Sequence, residues 1–77
     1  MKTMSYFDFT QSYYKNYPKS TYSLGQHFLN IFFKDSSPYW ELWNEKDNRV
    51  AEEMIFKLIL KENMDMMNLK VLNEELL

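Results

Sequence analysis

His27 is the one histidine in a chain that has no cysteine, and that pair of facts removes most reaction chemistry before any fold is considered. Cys/His catalysis is impossible within one chain, and a Ser/His/Asp set could be assembled only by arbitrary choice among scattered residues. A structural zinc site needs several Cys or His ligands, so it is excluded too. The acid pairs Glu52–Glu53 and Glu74–Glu75 are adjacent, so on a helix they splay apart and read as solvated faces rather than as a dyad. No phosphate-binding glycine loop, dinucleotide fingerprint or HExxH sequence is present. The expectation is a non-enzymatic protein without catalytic residues, cofactor or metal.

What remains is binding chemistry, and the aromatic residues dominate it. Rings make up 18% of the 77 residues, and all but Phe56 fall between Tyr6 and Trp43. A chain this short fits one domain, residues 1–77, and buries a smaller fraction of its surface than a larger one, so large rings compensate for a small core. It cannot hide all of them. Residues 1–33 carry +2 (three lysines against Asp8) and residues 36–77 carry −4 (nine acids against five bases), too weak a field to favour nucleic acid. Lys2, Lys15 and Lys19 interleave with tyrosines that could stack on bases, but three lysines are few, and nucleic acid is not the expected partner. The start "MKTMSYFDF" lacks the apolar core of a secretion signal, and no apolar run reaches the roughly 18 residues of a membrane span, so a cytoplasmic protein with no membrane contact is expected.

The elements that must position these residues are read from caps and periodicity. Ser5 begins a first helix that Pro18 ends, with Tyr6, Phe9, Tyr13 and Tyr17 along one side. Ser20 is the expected cap of a second helix over residues 21–34, with His27 on its polar, surface side. Gly25, the only glycine, falls inside the apolar arc of that helix beside Phe28, Leu29 and Phe32. A glycine there costs about 1 kcal/mol relative to alanine, so it predicts a notch into which another element presses.

Ser37 and Pro38 start a short third helix whose Trp40 and Trp43 point to one side. Asn44 or Asp47 caps a fourth, whose core face is Val50, Ala51, Met54, Ile55, Leu58 and Ile59. The last segment reads most simply as a fifth helix capped by Asp65, with Leu69, Leu72 and Leu76 inward; a strand at "NLKVL" is the alternative, without an obvious partner. The predicted fold is all-α, a small bundle of four to five short helices.

Two surfaces are candidates for contact with other molecules. In the simplest reading Phe7, Phe28, Phe32, Trp40 and Trp43 fill the core, and the surplus tyrosines are left over. An aromatic patch of Tyr13, Tyr14, Tyr17, Tyr39 and Trp43, rimmed by Glu41, Glu45 and Asp47, suits a protein partner with a basic surface. On the fourth helix Phe56 and Leu60 lie nearly opposite the core face, and Met64 and Met67 extend their stripe if the helix continues; this suits self-association, as a homodimer or an assembly protein.

The stretch "YSLGQHFLNIFF", with Gly25, Gln26, Phe28, Leu29 and Asn30 in a GQ-x-hydrophobic-hydrophobic-N pattern and "ELWNEKD" at 41–47 as its acidic segment, resembles small accessory proteins encoded by bacteriophages and prophages. The resemblance implies a binding task in an infected bacterial host, as an inhibitor or modulator of a host protein or defence complex.

Overall fold

Three side-chain caps fix where the main helices begin. Ser5 accepts from the Asp8 amide at 3.0 Å, Ser23 from the Gln26 amide at 3.2 Å, and Asp47 from the Arg49 amide at 2.9 Å. They open α1 (Tyr6–Asn16), α2 (Leu24–Phe32) and α4 (Asn48–Lys61). Between the last two, a 3₁₀ turn at Ser37–Tyr39 leads into the five-residue α3 (Trp40–Asn44). The computed structural model describes residues 2–77, and a further 3₁₀ turn spans Glu74–Leu76. The protein is a small helical domain, as its sequence predicts.

α2 is the hub. It touches α1, α3, α4 and the C-terminal turn, and only Gln26 and Asn30 along it are not buried. It begins three residues later than expected, because Ser20 caps only a local turn, accepting from the Tyr22 amide at 2.9 Å. Asn48, at the start of α4, meanwhile accepts from the Leu24 amide at 3.2 Å. Gly25 is therefore in the first helical turn, and there the predicted notch is filled by Leu42 of α3. A Cβ on Gly25 would run into the Leu42 carbonyl oxygen and lie 2.8 Å from its Cδ1. Gln26 adds a second tie, its amide donating to the Trp43 carbonyl at 3.2 Å. The Gly25–Gln26 pair thus seats α3.

The third element also starts differently. Ser37 does not cap it; Asp35 accepts from the Ser37 amide at 3.0 Å, and Pro38 lies in the first, 3₁₀ turn. Leu42, not either tryptophan, is its buried anchor.

Past α4 the chain departs from the predicted fifth helix. Asn63 adopts a left-handed φ of 56°, the Met64 amide bonds back to the Ile59 carbonyl at 2.9 Å, and the Asn63 amide to that of Leu60 at 3.3 Å. This double closure is a Schellman motif, and it stops the helix. Asp65 caps a turn, accepting from the Met67 amide at 2.9 Å. Leu69–Lys70 then forms β2, antiparallel to β1 (Thr3–Met4), with Thr3 opposite Lys70 and Met4 opposite Leu69. The alternation of buried Leu69 and Val71 with exposed Lys70 is the two-residue period of a strand. Leu72 is exposed, and Leu76 is half-buried in the final turn. The Leu72 and Asn73 amides both donate to the Ile31 carbonyl, at 2.8 and 3.2 Å, so the tail closes the far end of α2.

Alanine is the better helix former, yet Gly25→Ala should destabilise the protein by about 1–3 kcal/mol, because the contact it overfills includes backbone that cannot rotate away. A lower urea midpoint at unchanged slope is the expected result; an unchanged or higher midpoint would show that α3 can shift off α2.

Candidate protein-binding surfaces

The rings divide sharply between inside and outside. Phe9 packs edge-on against Phe28 and Phe32 at centroid distances of 5.5 and 5.4 Å, and Phe28, Phe32 and Tyr13 are buried. Phe7 and Trp40, expected in the core, are 65% and 63% exposed. On α1, Phe7 lies two residues from Phe9, so the two point to nearly opposite sides. The same spacing sets Trp40 against Leu42 on α3. Which of the two turns inward is set by the seat at Gly25, which Leu42 fills, and not by the spacing.

Tyr13 cannot belong to a surface patch. Its ring is 1% exposed, and its hydroxyl donates to the Tyr22 carbonyl. Tyr17 is half-buried and stacks on Tyr13 at 5.5 Å. Both pack around His27, which is not a surface residue: it is 2% exposed, stacked on Phe9 at 5.4 Å and edge-on to Tyr22 at 5.3 Å. Asn30 donates to the Tyr22 hydroxyl at 3.0 Å, and the same hydroxyl is hydrogen-bonded to His27 Nδ1, also at 3.0 Å. The imidazole is neutral near pH 7. Burial pushes its pKa down to about 4. The residue is structural.

The remaining members of the expected patch fall on two sides of α4. Tyr14, on α1, donates to the Glu52 carboxylate at 2.7 Å; burial first, then this bond, raises its phenol pKa. The stretch 39–47 lies on the other side, where Tyr39, Glu41 and Leu42 share an open groove of about 280 Å³ with Met54, Lys57, Leu58 and Lys61. Tyr39 packs edge-on to Phe33 at 4.9 Å and donates to Glu62 at 3.3 Å. Trp43 is half-buried against the core. Glu41 is exposed, and two of the three acids are engaged locally: Glu45 accepts from the Asp47 amide at 3.1 Å, and Asp47 caps α4. Trp40, Glu41, Trp43, Glu45 and Asp47 therefore form one surface around α3, and Tyr13, Tyr14 and Tyr17 lie apart from it.

Between the two sides, α4 is bare. Phe56 and Leu60 are 46% and 63% exposed, and Val50, expected in the core, is exposed as well. The stripe ends at Leu60, since the Schellman turn folds Met64 back against the core and carries Met67, though exposed, off the helix.

Among the described residues no group of three or more His, Asp or Glu is placed to hold a metal ion, and no helix is long and apolar enough to cross a membrane. No family model, curated protein or solved structure matches this chain.

Two predictions follow the burial pattern. Because the folded imidazole titrates at about 4 and the unfolded one near 6.5, the unfolded chain takes up the proton first. The His27 contribution to stability is thus complete above pH 6.5 and shrinks as pH falls toward 4, by up to roughly 3 kcal/mol. An NMR titration of the imidazole should show no protonation at pH 5.5; a midpoint near 6.5 would mean that the ring is solvated. Tyr6 has a buried hydroxyl without a partner, and burial first, then the nearby Glu52 charge, pushes its pKa up to about 12. Tyr6→Phe should therefore raise the unfolding free energy, by about 1 kcal/mol, in a urea titration.

Proposed function

We propose that this chain is a non-catalytic protein-binding module whose working face is α3 and the loop that follows it. The observation that carries the reading is Trp40: a ring 63% exposed, on a five-residue helix held in place by Gly25 and Gln26. Exposing so large an apolar surface is unfavourable in isolation, and tryptophan is among the residues most enriched where binding energy concentrates. A helix already seated loses little conformational entropy on docking.

The charge around it selects the partner. Glu41, Glu45 and Asp47 against Lys46 give residues 40–47 a net charge of −2, which steers the face toward a basic protein surface. Nucleic acid is disfavoured there for the same reason. The resemblance of the Gly25–Asn30 stretch to phage accessory proteins supports a setting in the cytoplasm of an infected bacterium, with the target in host machinery or a defence complex. Action there would consist of covering a site. The bare strip on α4 is a separate surface.

Affinity capture from bacterial lysate, with wild-type protein beside Trp40→Ser and Glu41→Lys, tests the reading. One basic protein should be retained by the wild type and lost with both variants, at unchanged circular dichroism and Tm, and its retention should weaken as salt rises. Equal capture by all three proteins would move the binding face away from α3.

A further inference from the structure

We propose that the bare strip of α4 pairs with the same strip of a second copy of this chain, antiparallel, across a two-fold axis at Ile55. α4 is covered on its other sides. Ala51, Ile55 and Ile59 face the core, Glu52 meets Tyr14 of α1, and Met54 and Leu58 line the groove beside α3. At about 100° per residue, the exposed residues Phe56, Arg49, Leu60 and Glu53 share an arc of about 60°, with exposed Lys57 at its edge beside Glu53. That strip has Phe56 on one edge, Arg49 and Leu60 in its middle, and Glu53 and Lys57 on the other flank.

The order of the charges selects the occupant. In an antiparallel pair related by a two-fold axis, like flanks meet, and an axis at Ile55 brings each residue opposite the one equally far beyond Ile55 in the other copy. Glu53 and Lys57 stand two residues either side of Ile55, on the same flank, so each carboxylate meets the other copy's ammonium, twice over. Phe56 lies next to the axis and meets its own equivalent. Leu60 falls beside the aliphatic stem of Arg49. Ile55 also lies within one residue of the midpoint of Asn48–Lys61, so this register pairs the helix along nearly its whole length. A parallel pair would instead bring unlike flanks together, leaving the Glu53–Lys57 contacts unmade. The contact is one helix wide, so the dimer is weak, with a Kd of roughly micromolar or above.

Sedimentation velocity from about 0.1 μM to about 1 mM, a range that brackets such a Kd, tests the pairing. The wild type should shift from monomer to dimer as concentration rises. Glu53→Lys and Lys57→Glu should each raise the Kd by about tenfold, because each change converts two attractive contacts into repulsive ones, and the double exchange Glu53→Lys/Lys57→Glu should restore it. All three positions-of-charge variants alter exposed side chains, and circular dichroism checks that they fold. Trp40→Ser should leave the Kd unchanged, which separates this surface from the α3 face. A monomer at every concentration, a Kd indifferent to the single reversals, or a dimer lost with Trp40→Ser would each overturn the proposal.

Discussion

The approach of Leu42 to the backbone of Gly25 is the contact on which the arrangement depends. Only a residue without a side chain lets the Leu42 carbonyl and isobutyl group rest on α2. This seats a helix too short to be stable alone, since five residues make little more than one turn. With α3 fixed at that point, Gln26 reaches the Trp43 carbonyl and Asn48 reaches the Leu24 amide, so the starts of α2 and α4 are locked together. The opposite end of α2 is closed by the tail, through the Ile31 carbonyl. α1, α3, α4 and the C-terminal turn all pack on a helix whose two ends are held by distant parts of the chain.

A hub of this kind explains the sorting of rings. α2 is surrounded, so its neighbours compete for space against it, and the winners are Phe9 and Tyr13 of α1 together with its own Phe28 and Phe32. Edge-on and stacked contacts among these rings each add about 0.5–1.5 kcal/mol to simple burial. His27 joins them because the Tyr22 hydroxyl, itself held by Asn30, satisfies its Nδ1 inside the cluster, which makes burial of a neutral imidazole acceptable. The rings left over are those whose helices have already committed the opposite side inward: Phe7 behind Phe9, Trp40 behind Leu42, and Phe56 across α4 from Leu58.

These leftovers are not one patch. α4 stands between α1 and α3 and separates Tyr14 from Trp40 and Glu41. The acidic face on α3 and the mixed apolar and charged strip on α4 differ in chemistry, which is why we propose different occupants for them, a basic foreign surface for the first and an identical strip for the second. A dimer formed through α4 would leave both copies of Trp40 free to bind.

For the start of α4 the sequence offered Asn44 or Asp47, between which the fold chose Asp47; by itself it determined the helical class, the start of α1 at Ser5, most of the core face of α4, and the need for a close contact at Gly25. Each of these follows from local rules: a cap three residues or fewer from the amide it satisfies, a repeat of 3.6 residues, a missing Cβ. Only the tertiary structure decided the burial of His27 and Tyr13, the exposure of Phe7 and Trp40, and the pairing of Leu69–Lys70 with Thr3–Met4. Periodicity states which residues share a face, but which face turns inward depends on how many neighbours surround the helix, and a two-residue strand exists only because its partner at the other end of the chain is brought beside it.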